Sequence, residues 1–361
     1  MTRDDIQKQA LDATVGKRRV SVVLGTGVGK TLVGLNHIEN TTTELMKCLI
    51  VAPKKAIFNS WIDDAKRFNK EHLLKRIVFS TYLSLNKHNP DDYNNVYLDE
   101  MHSLLSSHTL FLNKFKGVIL GLTGTPPKYQ NSIKGKIVDQ YCPVAYTHKV
   151  DEAIENHIIN DYQIIVHELY LSSAKNYENK SKYSTYLTSE HDNYNFWTNK
   201  IASGIGNIQM ARIMRMRAFM EYSTKIEYTK LLFKSIKSKC ILFANTQLQA
   251  DSLCEHSYHS KNPDSEVNLA LFKTGEITKL STVHQLSEGV NIPELKQGII
   301  MHCYGNERKF NQKLGRLVRL NPDDKAIVHV LCYMDTVDEK WCKEALSDLD
   351  QTKIIWKNFN L

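Results

Sequence analysis

The chain has 361 residues, 42% hydrophobic and 24% charged, which is material for two buried cores and excludes a disordered chain. Its formal charge of +8 is compatible with a polyanionic partner but does not require one. With no apolar run near the ~18 residues of a membrane span and no secretory stretch behind Met1, a cytoplasmic protein without membrane contact is expected.

In chain order, a strand is predicted over 20–24, then a Gly-rich turn and a helix over 31–38. Apolar runs follow over 48–52 (closed by Pro53), 76–79, 96–98 and 118–120. Short buried strands separated by helical segments predict βαβ units on a parallel sheet. The same pattern returns over 240–244, 269–272, 298–301 and 326–330. Two α/β domains are therefore expected, 1–150 and 151–361, around a different middle segment at about 173–234. The 7 Cys include no Cys-x-x-Cys pair and the 14 His no His-Glu-x-x-His pattern, so neither a disulfide framework nor a zinc site is expected.

That middle segment holds 10 Lys+Arg against 5 Asp+Glu, and so carries +5 of the net +8. It also carries Tyr177, Tyr183, Tyr186, Tyr194, Phe196, Trp197, Tyr222 and Tyr228. From Ile201 its apolar residues (Ile205, Ile208, then Ile213, Met216, Met220) recur close to helical spacing. Two readings stay open. Either it is a helical insertion with solvated cations, or its basic, aromatic surface meets nucleic acid.

Chemistry is carried first by Gly25-Thr26-Gly27-Val28-Gly29-Lys30-Thr31, between a strand and a helix. Glycines let backbone N–H groups wrap phosphates, and the helix N-terminus adds a favourable dipole. Lys30 would neutralise the β and γ phosphates, and the Thr31 hydroxyl would ligate Mg²⁺. Asp99-Glu100, ending the strand at 96–98, supplies the acidic partner. Asp99 would position the metal and Glu100 would orient or deprotonate a water. The pair implies a nucleoside triphosphate hydrolase.

The order of motifs then resembles the superfamily 2 DExH-box helicases along nearly the whole chain, with Asp99-Glu100-Met101-His102 as the DExH box. The residues 3–11, with Gln7, are similar to the motif that reads adenine. Motifs Ia (51–55) and Ib (79–82) imply strand contacts by Pro53, Lys54 and Thr81. Leu122-Thr123-Gly124-Thr125-Pro126 is similar to motif III, so His102, Thr123 and Thr125 would couple hydrolysis to domain movement. Motif IV (241–246) and the segment beyond it imply strand contacts by Thr246 and Thr282. Motif V (286–293) implies nucleotide contacts by Gly289 and Asn291. Motif VI (312–319) implies catalytic Gln312 and two arginine fingers, Arg316 and Arg319. Three apart, those arginines would share one helix face, and each guanidinium can fork onto a phosphate. The segments at 141–154 and 162–171 resemble the crossover of type III restriction, UvsW-type phage and RecG-like relatives.

The resemblance implies two RecA-like domains, a helical insertion in the second, and ATP with Mg²⁺. Three residues depart from the family pattern: Leu24 adds bulk before the phosphate loop, Lys313 loses a fork and Asn291 replaces a common Asp. None removes a catalytic group. The expected function is a 3′-to-5′ DNA helicase or translocase, acting as a monomer or within a replication or repair assembly. An RNA helicase, a translocase without strand separation and a non-catalytic clamp are the alternatives; Thr-Gly-Thr-Pro in motif III favours DNA. No Asn-Gly or Asp-Gly signal marks a strand-separating hairpin.

Overall fold

The computed structural model describes residues 1–358 except 26, 128, 159, 181–183, 284–291, 304–309, 311–313, 315–324 and 348. These fall into two units. Met1–Asp161 with Leu314 forms the first, and the second gathers the described residues of 162–283, 292–303, 310 and 325–358.

The first unit runs α1 (Arg3–Asp12), β1 (Arg19–Leu24), α2 (Lys30–Thr41), β2 (Cys48–Ala52), α3 (Ala56–Arg67), β3 (Ile77–Thr81), β4 (Asn95–Asp99), α4 (Thr109–Lys114), β5 (Val118–Thr123), α5 (Ile133–Tyr141), β6 (Val144–His148) and α6 (Val150–Glu155). Among the described residues its six strands form a sheet in the order β3-β2-β4-β5-β1-β6, with every pairing parallel. Parallel strands covered on both faces read as unbroken apolar runs, and β2 and β4 are buried at every position. The unit continues past position 150 because its N-terminus is tied to the chain beyond α6. The Met1 amino group donates to Asn156 Oδ1 (3.1 Å) and Arg3 Nη2 to the Ile158 carbonyl (3.1 Å).

The second unit runs β7 (Asp161–Leu169, shared at its first residue), β8 (Tyr177–Lys180), β9 (Thr185–Thr188), α7 (Glu190–Ala202), α8 (Ile208–Glu221), α9 (Ser223–Ser235), β10 (Cys240–Ala244), α10 (Gln247–Leu253), β11 (Ser257–Tyr258), α11 (Ser265–Thr274), β12 (Lys279–Val283), β13 (Gln297–Ile300), β14 (Lys325–Tyr333), α12 (Val337–Leu346) and β15 (Ile354–Asn358). Its larger sheet has the order β11-β12-β10-β13-β14-β7-β15, and β8 and β9 form a separate antiparallel ribbon.

Two readings of the sequence are corrected here. Residues 269–272 are not a strand but the centre of α11, where Ser265, Asn268, Leu269 and Phe272 are buried at helical spacing. The segment 173–234 is helical only from α7 onward. Its apolar periodicity crosses a break, since Ile205 sits in the α7–α8 turn at 75% exposure.

A buried polar knot ties these helices to the second core. Lys225, on α9 and 0% exposed, donates from Nζ to Asp338 Oδ2 (2.6 Å) and to the carbonyls of Leu331 (3.1 Å) and Met301 (3.2 Å). Glu190, at the start of α7, accepts from Thr224 N (2.9 Å), Ser223 Oγ (3.2 Å), Ser172 N (3.2 Å) and the Tyr333 hydroxyl (3.4 Å).

Candidate active site

In the first unit the strands deliver the predicted residues to the carboxyl edge of one sheet, where open α/β sheets bind ligands. β1 ends at Leu24, whose side chain is fully buried, so its extra bulk goes into the core rather than toward the loop. Gly25 N donates to the His148 carbonyl (2.9 Å), pinning the loop to β6. Gly27 and Gly29 take positive φ, 90° and 104°. Gly29 is the N-cap of α2 and no side chain caps that end, which leaves it to an anion. The buried Gln7 amide donates to the Val28 carbonyl (2.7 Å), and a Cβ on Gly29 would lie 2.3 Å from that amide nitrogen. Gln7 therefore braces the phosphate loop. Lys30 and Thr31 are half-buried in the first turn of α2.

Asp99 closes β4, and both its oxygens accept hydrogen bonds, from Trp61 Nε1 (2.8 Å) and Glu100 N (2.9 Å). The Tyr82 hydroxyl donates to the Asp99 carbonyl (3.0 Å). Trp61 reaches this position because α2 carries Gly34, where a Cβ would lie 2.4 Å from the indole. Glu100 adopts a left-handed backbone, φ 51° and ψ 54°, a conformation that costs roughly 1–3 kcal/mol for such a residue. Its Oε1 lies 3.4 Å from Lys30 Nζ. Its Oε2 accepts from Thr123 Oγ1 (3.0 Å) and lies 3.3 Å from His102 Nδ1. Thr123 Oγ1 in turn pairs with His102 Nδ1 (2.9 Å) and accepts from Thr125 N (3.1 Å). His102, Thr123 and Thr125 thus converge on Glu100.

Burial and the neighbouring Glu100 push the Asp99 carboxyl up to about 6. Burial also raises Glu100, but Lys30, His102 and Thr123 outweigh it and hold this carboxyl below its ordinary value. Two carboxylates face one ammonium, a shortage of positive charge that a divalent cation fits. Carboxylate and hydroxyl oxygens, here from Asp99 and Thr31, are the donors Mg²⁺ prefers.

The strand-contact candidates also sit at sheet ends. Ala52 pairs with Thr81, so exposed Lys54 and half-buried Pro53 adjoin Thr81 beside β2 and β3. In the second unit Thr246 caps α10 and lines a cleft of about 880 Å³ with Asn245, Gln247, Asp251, His259 and Lys261. Thr282 corrects an expectation. It is fully buried with its hydroxyl given to the Tyr258 carbonyl (3.2 Å), so it presents nothing to a strand. Thr26, Gly289, Asn291, Gln312, Arg316 and Arg319 lie outside the described residues. Trp61 and Tyr82 are site residues that no sequence spacing announced.

Residues 1–128 match the family model described as type III restriction enzyme, res subunit, and residues 224–321 match the helicase conserved C-terminal domain. The chain is 26% identical over 372 residues to the DNA 3′-5′ translocase XPB2 of Sulfurisphaera tokodaii, covering 91% of this chain and 81% of that protein. Of solved structures, the ATP-dependent Type ISP restriction-modification enzyme LlaBIII bound to DNA superposes with a TM-score of 0.64 at 12% identity. That likeness covers 99% of this chain, which spans only 31% of LlaBIII. The Pyrococcus furiosus Hef helicase domain gives a TM-score of 0.53 at 13% identity, covering 94% of this chain and 96% of that one. At such identities the two structures speak for the fold, and both sheets are RecA-like.

Proposed function

Because residues 1–128 match the type III restriction res-subunit model and residues 224–321 the helicase C-terminal model, we propose that the chain is a superfamily 2 helicase that couples ATP hydrolysis to 3′-to-5′ movement along DNA, unwinding or remodelling it. The observation that carries this is the hydrogen-bonded junction at Glu100. The carboxylate that would take a proton from the attacking water also accepts from Thr123, whose hydroxyl receives the Thr125 N–H and pairs with His102. A change at the phosphates therefore has a short physical route into the loop after β5.

Lys30 neutralises the terminal phosphates, and the loop N–H groups and the uncapped end of α2 bind them. Thr31 and Asp99 would hold Mg²⁺, which supplies charge neutralisation and orientation to the phosphates. Arg316 and Arg319 are proposed to stabilise the charge developed in the transition state. Pro53, Lys54, Thr81 and the cleft at Thr246 are proposed as contacts for the sugar–phosphate backbone. The seven free cysteines support a reducing, cytoplasmic setting, and we propose that the motor works as a monomer.

The test is ATP turnover measured without polynucleotide, with DNA and with RNA. DNA should stimulate it at least tenfold and more strongly than RNA. Equal rates in all three would overturn the proposal.

A further inference from the structure

The α7–α8 hairpin presents a surface that neither the nucleotide site nor the sheet-edge contacts use. Its root is built into the second core through Tyr194, Phe219 and Tyr222, all at or below 9% exposure. Gln249 fastens that root to the Thr246 cleft. Its Oε1 accepts from Asn245 N (3.1 Å) and Thr246 N (3.3 Å), and its amide donates to the Met220 carbonyl at the end of α8.

Toward the turn at 203–207 the hairpin changes character. Phe196, Ile205 and Met210 are 53%, 75% and 51% exposed. Phe196 and Trp197 meet edge-to-face with centroids 5.0 Å apart, and Lys200 Nζ lies 5.9 and 5.5 Å from them. Over 195–220 there are four cations (Lys200, Arg212, Arg215, Arg217) and no Asp or Glu. Arg215 is spent inward on Thr198 Oγ1 (3.1 Å) and the Tyr194 ring, while Lys200, Arg212 and Arg217 stay exposed.

A solvated helical segment mixes charges of both signs, whereas the stretch 195–220 carries cations alone, with exposed Asp192 one turn before Phe196, and holds a half-exposed aromatic ring beneath a lysine. The complementary chemistry is a polyanion with flat apolar faces. Duplex DNA offers phosphates but keeps its base faces stacked, so only an unpaired strand satisfies both requirements. We infer that the α7–α8 hairpin is a binding site for unpaired nucleic acid, with Phe196 and Trp197 stacking on bases and Lys200, Arg212 and Arg217 meeting phosphates. The inference rests on the proposed nucleic-acid motor and deepens it by naming a separate contact for the single strand.

Tryptophan fluorescence of the full chain, titrated with a dT oligonucleotide and with a blunt duplex, tests it. Binding of dT should quench emission, and the quench should vanish in Trp197→Phe. The pair Phe196→Ala and Lys200→Ala should weaken dT binding about tenfold, the order expected of one lost base stack, with duplex affinity changed less than twofold. Both side chains are exposed, so the melting temperature should hold. Unchanged dT affinity, or an equal loss for duplex, would overturn the inference. If the wild type shows no DNA-stimulated turnover, the motor reading itself fails. Stimulated turnover with unaltered dT binding in the double variant refutes the hairpin contact alone.

Discussion

Each unit contains a partly or wholly buried lysine facing carboxylates, and the two are built to opposite ends. Lys225 directs its ammonium to three oxygens within 3.2 Å, and its partner Asp338 is 1% exposed. Lys30 has one carboxylate at 3.4 Å, and beside it Asp99 is short of positive charge. A buried charge cluster that is satisfied within the chain holds helices together, whereas one left unbalanced is organised around a ligand. Lys225 therefore belongs to stability, and chemistry is the role proposed for Lys30, although a catalogue of ion pairs would treat them alike.

The largest effect that separates them is catalytic. Lys30→Ala should lower ATP turnover by about 10²–10³-fold or more while the melting temperature moves only a few degrees. Steady-state hydrolysis and calorimetry read both quantities. The converse variant, Lys225→Met, strands Asp338 and should cost about 3–5 kcal/mol. The second unit should then melt roughly 10 °C lower, with nucleotide affinity unchanged. Weaker nucleotide binding in that variant would blur the division drawn here.

A smaller effect follows from pH. Asp99 is raised to about 6, so it gains a proton as pH falls through that value and loses the charge proposed to hold a cation. The Mg²⁺ concentration for half-maximal turnover should rise roughly tenfold per pH unit below about 6 and level off above it. Turnover against Mg²⁺ from pH 5 to 8 checks this. A flat dependence would mean that Asp99 does not hold the metal.

The parts of the fold legible in the sequence were those governed by local rules. Phosphate binding demands glycines between a strand and a helix, and an acid pair at a strand end needs no partner nearby in sequence to be noticed. Trp61 stayed hidden because it meets Asp99 across 38 positions, with only Gly34 to make room. The knot of Glu190, Lys225 and Asp338 is likewise spread over three helices. The β8–β9 ribbon lacks the Asn-Gly or Asp-Gly turn by which hairpins are recognised, and α11 was misread because a four-residue apolar run carries too little period. Thr282 shows a different limit: sequence places it near the end of β12 but not on which side its hydroxyl is spent.

The left-handed backbone at Glu100 has an evolutionary side. Glycine, or to a lesser degree asparagine, would relax that peptide and also delete the acid. Such substitutions trade the carboxylate's contacts with Lys30 and Thr123, and its proposed catalytic role, against a relaxed backbone. Selection on the proposed motor activity then favours a glutamate at this position. In a lineage where that selection lapses, position 100 should be among the first to drift, leaving a well-folded, inert chain.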